Sequence, residues 1–452
     1  IEDGAFVGDG CAISQASADI MLSMIVGKKK DEALRMGKTF MKMIKQTFTR
    51  CFVALVIMVA LFTLSIIAVH CIPKSAVAEN LYSSTKVIEQ EGLYKEFFHF
   101  KLFQMDNFTD CYMFNLMASA DADEPVRSAM LNDDYKSDDY MSLAYDTENV
   151  IKGKFKGLNK ESYGRYWHGY QVTLKPLMTI MDYSAIRILN YVLFSLLIVV
   201  CSWLIYRKIG KAACGLFVLS LVLINFPIVP LSLQFSTCFY LSFLSMIAVM
   251  VFPRLVEKDD NLYCTFFIIG GVTSFMDFLT TPQLTLGLPM IVCLLMSNRK
   301  DKWKYVIYIS IAWALGYGLI WASKWLVGYL LTGTNILADA MESAKLRTSD
   351  VYKGMHMTIG GILAFIWQAV ERKHLVLPFF GAIVVVVALI LLYIKMIKSK
   401  KVFGENVFLL LVVMIVPIWF LVMRNHSIQH GWFTWRAGLL SLYSLLLLVY
   451  YT

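Results

Sequence analysis

The sequence is poor in charge. Only 17% of its 452 residues are Asp, Glu, Lys or Arg, against 58% hydrophobic residues and a mean hydropathy of +0.60. Soluble domains carry about 25% charged residues, so a soluble globular protein is excluded, and so are disorder and a coiled coil. Cysteine is no richer in pattern. None of the nine forms a CxxC or a zinc spacing, and most lie in apolar runs (Cys51, Cys201, Cys214, Cys238, Cys264, Cys293), where they read as small buried hydrophobes. There is no nucleotide-binding P-loop, no dinucleotide glycine fingerprint and no GxSxG elbow. Chemistry driven by a cytosolic nucleotide therefore has no recognisable site.

Long apolar runs are present instead. A bilayer core of about 30 Å needs about 20 apolar residues per helix. Runs near 51–70, 187–206, 212–229, 235–252, 262–280, 284–297, 305–331, 375–396, 406–423 and 436–452 predict an all-α polytopic membrane protein with about ten transmembrane helices. Short loops predicted on one side hold Arg207, Lys208 and Lys211, then Arg254 and Lys258, then Arg299, Lys300, Lys302 and Lys304, then Lys395, Lys398, Lys400 and Lys401. The stretch before the first span adds Lys28 through Arg50, while the loops at 230–234 and 281–283 have no Lys or Arg. The positive-inside rule then puts the N-terminus in the cytoplasm, of a bacterial plasma membrane on the resemblance given below. The net charge of +9 is explained by these anchors and needs no nucleic acid. Arg424 and Arg436 are the exceptions, lying in an outer loop.

The expected organisation is a cytoplasmic segment 1–50, a first span 51–70, and a large α-rich extracytoplasmic loop subdomain 71–186. Helices two to seven follow over 187–331, an outer loop or lid over 332–374, and helices eight to ten over 375–452. Residues 133–139 (DDYKSDD) read as a solvated tip, and 166–181, rich in aromatics, as an amphipathic helix at the headgroup level. The lid segment holds Arg347, Lys353, His356, Arg372, Lys373 and His374, and a plain connection fits it equally. Its short apolar part, 357–370, suits a re-entrant or interfacial helix better than a span. Pro227, Pro230 and Pro282 break helices at the outer face, which is tolerated where backbone lines a cavity. The opening at Ile1 and the close within a span are compatible with a fragment, and with residues 1–45 being foreign to the membrane body.

Ionisable side chains inside spans are functional candidates by default. Asp277 and Lys324 both fall toward the outer leaflet; Lys324 suits a phosphate, and Asp277 suits Lys324 or a substrate hydroxyl. A snorkelling lysine and an interfacial aspartate are the plainer alternative. The densest polar string is Arg424-Asn425-His426-Ser427-Ile428-Gln429-His430, continuing to Arg436. His426 and His430 share a helical face, a spacing that also holds zinc, but the glutamate of HExxH is missing. Two arginines and two histidines suit a phosphate or pyrophosphate; an anchor of Trp432, Trp435 and Arg436 is the alternative. In the outer loop, Asp106 and Asp110 (Asp106-Asn107-Phe108-Thr109-Asp110) share one helical face or bracket a turn, and are the best carboxylates for a general base. A structural cap is their alternative role. Tyr166-Trp167-His168-Gly169-Tyr170 suits sugar rings or a membrane interface.

This layout of one span, a large outer loop with an acidic motif and an amphipathic helix, then polar motifs at outer span ends, resembles the GT-C class of integral membrane glycosyltransferases. It also looks like multispanning proteins of bacterial surface-polysaccharide synthesis. The resemblance covers about 45–452, and its acidic motif is DNFTD, not a tight pair such as Asp-x-Asp. It implies Asp106 or Asp110 as catalytic base, and Lys324, Arg424, His426, His430 and Arg436, with Asp277 and His168, as donor-phosphate or substrate contacts. It further implies a polyprenyl-phosphate-linked sugar donor, a glycan or lipid acceptor, and membrane lipids as partners; a divalent cation is compatible with it. A polysaccharide polymerase or ligase using a lipid-linked oligosaccharide would share the spans, outer loops and outer arginines; a lipid-glycan flippase is the non-enzyme alternative, for which internal repeats and midplane polar residues are expected and are not seen in the sequence. Separately, Gly8-Asp9-Gly10, Ala18–Leu22 and Ile44-Lys45-Gln46 vaguely resemble the end of the P-domain of P-type ATPases, but Cys11-Ala12 stand where that family has Asn-Asp, and no Asp-Lys-Thr-Gly motif exists.

Overall fold

The computed structural model describes residues 30–97, 103–352, 355–356, 358, 360–361, 364, 376–398 and 404–452. The expectations for most of 1–45, for the greater part of 357–370, and for Lys353, Arg372, Lys373 and His374 fall outside the described residues.

The apolar runs form helices, as their length and composition dictate. The first, α1 (Lys30–His70), continues unbroken through position 50 and contains the apolar stretch Lys45–His70. After the loop subdomain come α7 (Tyr183–Lys208), α8 (Lys211–Leu223), α9 (Leu233–Val251), α10 (Asp259–Met276), α11 (Gln283–Met296) and α12 (Lys302–Thr332). Then follow α13 (Ile336–Thr348), α14 (Val376–Lys398), α15 (Val407–Val422), α16 (Arg424–Thr434) and α17 (Gly438–Tyr451). Among the described residues, five stretches are long and apolar enough to cross a membrane: Lys45–His70, Tyr183–Lys208, Leu233–Val251, Lys302–Thr332 and Arg424–Tyr451. Shorter apolar helices lie at Lys211–Leu223, Gln283–Met296, Ile383–Lys395 and Val407–Val422. Pro227 and Pro230 sit in a 3-10 turn (Phe226–Leu231) between α8 and α9, and Pro282 precedes α11.

The bundle has two chemically distinct ends. At one, Arg50 pairs with Asp260 at 2.6 Å and Arg299 with Asp259 at 3.1 Å. The other end carries the loop subdomain. It comprises α2 (Lys74–Glu91), α3 (Asn107–Ala118), α4 (Pro125–Leu131), α5 (Leu143–Ile151) and α6 (Gln171–Leu177). A two-stranded antiparallel ladder, β1 (Asp133–Lys136) with β2 (Asn159–Ser162), completes it, Asp133 lying opposite Ser162. The expected tip at 133–139 is therefore partly a strand. Asp134 is fully buried, accepting from Tyr112 and Lys136, because the ladder packs this side chain inward.

The headgroup-level helix expected over 166–181 is not what forms. Tyr166, Trp167 and Tyr170 are core residues, because the indole of Trp167 donates to the Ile320 carbonyl at 2.7 Å and Gly169 donates to that of Phe275 at 2.8 Å. The subdomain is thereby bolted to α10 and α12. Those two helices cross with their backbones in contact. A Cβ on Gly270 would lie 2.1 Å from the Trp313 carbonyl oxygen, and one on Gly316 would lie 1.9 Å from that of Phe267. Small residues at such crossings let membrane helices gain packing where no hydrophobic force separates protein from lipid. Gly316→Ala is expected to destabilise the protein by about 1–3 kcal/mol through overpacking, read as a lower unfolding temperature in detergent. Gly318→Ala, two residues on and facing open space, should leave that temperature unchanged.

Candidate functional site

The site is built on the DNFTD motif. Asp106 is the N-cap of α3, accepting from the Thr109 amide at 3.1 Å, as an aspartate before a helix readily does. Its second oxygen, Oδ2, accepts from the Thr109 hydroxyl at 2.8 Å and from the Gln234 carboxamide. Asp110, one turn on, crosses to the bundle. Its carboxylate accepts from the backbone N–H of Leu233 (2.9 Å) and Gln234 (3.2 Å) and from the Tyr183 hydroxyl (2.5 Å). The two amides are unpaired donors of the first turn of α9, where the helix dipole also favours a negative charge. Ser232 completes the joint by accepting from the Asp106 amide at 3.0 Å. Beside it, Arg187 grips Glu91 through two bonds of 2.9 and 2.8 Å and reaches Asn107 at 2.7 Å.

Burial sets the protonation of these acids. It pushes the Asp106 carboxyl up to about 7, against the Thr109 bonds, and that of Asp110 up to about 6, against its donors from Tyr183 and α9. Burial alone would raise Glu91 too, but Arg187 and Lys95 hold it down to about 2.

Next to this joint lies a cavity of about 480 Å³. Thr109 and Gln234 form part of its floor. One wall belongs to the subdomain and carries Asp138, Asp139 and Asp146. The opposite wall carries His426 and His430 of α16 and Arg347 of α13. Arg347 donates to the ring of His430 at 2.9 Å and to Gln429 at 3.1 Å, and the two imidazoles stand 4.7 Å apart. His426 is 4% exposed, and neither ring nitrogen makes a hydrogen bond of normal geometry among the described residues, although the Leu279 backbone interacts with it. A buried polar ring facing a cavity in this state is suited to a ligand. Tyr163, Tyr166 and Phe278 add aromatic surface.

The structure thus joins His426 and His430 in one cavity and sets Asp106 directly beneath its floor. The other expected contacts lie elsewhere. Asp110 is enclosed in the joint. Lys324 is fully buried, donating to the Ala129 carbonyl at 3.0 Å beneath the ring of Trp167, and fastens α4 to α12; it does not pair with Asp277. Asp277 accepts from the Thr280 amide (2.9 Å) and hydroxyl (2.5 Å), closing the turn between α10 and α11. His168 bonds the Tyr163 carbonyl at 2.8 Å behind the aromatic wall, and burial lowers its pKa to about 3. Arg436 is buried against Phe235 and Trp435. Arg424 lines a separate groove with Asp350 and Val422.

Gln234 and Asp146 are among the cavity residues that the sequence did not single out. Arg347 carried a signal as a cation in the second outer segment. A neutral Gln at the start of an apolar run carried none. Among the described residues, no three His, Cys, Asp or Glu side chains gather into a metal-holding group.

No protein-family model matches the chain, and no solved structure matches it. Among curated proteins, the iron-sulfur cluster assembly scaffold protein IscU of Streptococcus pyogenes serotype M1 is 47% identical over 45 residues, which are 10% of this chain. The match spans 28% of that protein's own length.

A carboxyl whose folded pKa is raised contributes stability that is complete below its unfolded value and is lost as pH rises through the folded one. Asp106 and Asp110 therefore predict falling stability between about pH 4.5 and 7. Thermal unfolding across that range checks this. In Asp110→Ala the slope should flatten and stability should drop by about 1–3 kcal/mol, because the α9 amides lose their acceptor.

Proposed function

We propose that this chain is a polytopic glycosyltransferase of a bacterial plasma membrane, crossing it about ten times with its N-terminus in the cytoplasm. In this reading it moves a sugar from a polyprenyl-phosphate-linked donor to a cell-surface glycan or lipid acceptor on the extracytoplasmic face. One observation carries the reading. A single cavity at the end of the bundle opposite the Arg50 and Arg299 clusters is lined by His426, His430 and Arg347 together with Thr109 and Gln234, the two side-chain donors to the buried Asp106 carboxylate.

Each wall answers one demand of the chemistry. A lipid phosphate presents oxygens that need donors and positive charge; Arg347 supplies the charge, and ring N–H groups of His426 and His430 supply further donors. The acceptor hydroxyl must lose its proton as its oxygen bonds the anomeric carbon and the bond from that carbon to the phosphate oxygen breaks. Asp106, held near neutral pKa by burial, takes that proton, and the lipid phosphate departs with the bonding electrons. The aromatic faces of Tyr163 and Tyr166 offer stacking surface for a sugar ring. Of the two carboxylates in the motif, Asp106 is the base and Asp110 is the structural latch, since every donor around Asp110 belongs to the joint.

Purified protein reconstituted with a polyprenyl-phosphate hexose and surface glycan should transfer the sugar. Transfer should increase with pH and level off above about 7, where Asp106 is ionised. Asp106→Asn should lower the rate by about 10²–10⁴ while the protein stays folded. Arg347→Ala should weaken use of the donor more than use of the acceptor. Full activity in Asp106→Asn removes the base, and absence of transfer from lipid-phosphate donors of several sugars removes the reading.

A further inference from the structure

The two oxygens of Asp106 face different surroundings. Oδ1 is turned to its own helix, accepting from the Thr109 amide. Oδ2 is turned to two side chains, accepting from the Thr109 hydroxyl and the Gln234 carboxamide, and both of these residues line the cavity. The carboxyl itself is only 2% exposed. The main chain on both sides is fixed. The Asp106 amide is tied to Ser232 at 3.0 Å, and the Gln234 amide to Asp110 at 3.2 Å. What can move between Oδ2 and the cavity is therefore a short hydroxyl and one carboxamide on a flexible stem. Removing the carboxamide would open Oδ2 to a ligand without disturbing the latch, because the latch uses the backbone of Gln234 and not its side chain.

We propose that Gln234 is a positioning residue that screens Asp106 from the cavity and yields its place on Oδ2 to an acceptor hydroxyl. The proposal rests on the reading of Asp106 as the base. The exchange is a swap of like for like, since the carboxylate loses an N–H donor and gains an O–H donor. It also keeps a buried base from standing open to water before the acceptor arrives. Gln234 contributes no proton of its own. It sets where the hydroxyl docks and the acidity of the carboxyl it leaves, since a donor to a carboxylate favours the charged form.

Two variants separate the parts of this role. Gln234→Met keeps the bulk and removes the donor. Gln234→Ala removes both. Two readouts follow: the pH dependence of kcat/KM for transfer, and the rate at which an apolar carbodiimide labels Asp106, measured by mass spectrometry of its peptide. Gln234→Met, which keeps the burial, should move the inflection of the pH profile upward from that of the parent. Labelling should be several-fold faster in Gln234→Ala and close to the parent rate in Gln234→Met. If Gln234→Ala labels no faster, or Gln234→Met leaves the inflection in place, the screening role is overturned. If the parent protein transfers no sugar while labelling still accelerates in Gln234→Ala, the screen stands and the glycosyltransferase reading fails.

Discussion

The arrangement depends on one buried carboxylate reaching across a domain boundary. Asp110 leaves α3 and ends on the first amides of α9, so a helix of the loop subdomain supplies the cap that a helix of the bundle lacks. A helix start facing apolar surroundings has several N–H groups without partners, and each costs free energy if left so. The contact, with the bonds of Asp106 to Ser232 and Gln234 beside it, thus fixes the distance and the angle between the two units. Asp106, one turn earlier on the same helix, inherits its place from that fixed angle.

The same motif then divides its labour by position alone. Two aspartates separated by one turn are chemically identical, yet one is held by backbone donors of the joint and the other by the side chains of Thr109 and Gln234. Burial raises the pKa of both, but only Asp106 takes bonds from two side chains of cavity-lining residues, Thr109 and Gln234. The residues on the facing wall come from α13 and α16, far along the chain. Function here is a matter of which shared edge three remote segments meet at.

How much of this the sequence revealed follows from the physics of each signal. Apolar runs announce helices because lipid admits few other solutions, so the helix positions were legible from 51–70 through 436–452. His426 and His430 were legible because paired imidazoles between apolar helices are rare and carry a spacing. Lys324 and Asp277 gave the same signal for a different reason: each is a polar group closing a local structure, and an intramembrane charge does not disclose whether its partner is a ligand or a neighbouring carbonyl. The aromatic string at 166–170 looked interfacial because rings suit both a headgroup layer and a core; only the docking of Trp167 on Ile320 decides. Gln234 was invisible, since an uncharged amide at a helix start has no compositional weight.

The contact of α10 with α12 through Gly270 and Gly316 has a consequence for how the cleft can breathe. Backbones that touch without intervening side chains cannot slide without a steric clash, so this pair behaves as a single beam. The subdomain is fastened to that beam through Trp167, Gly169 and Lys324, and therefore travels with it. The histidine wall hangs from a separate brace, α15 against α17, held by Ser441 and Ser444 donating to the Val413 and Leu409 carbonyls. The subdomain and the beam thus form one unit, and Arg347 of α13, the helix after α12, meets the histidine brace at His430.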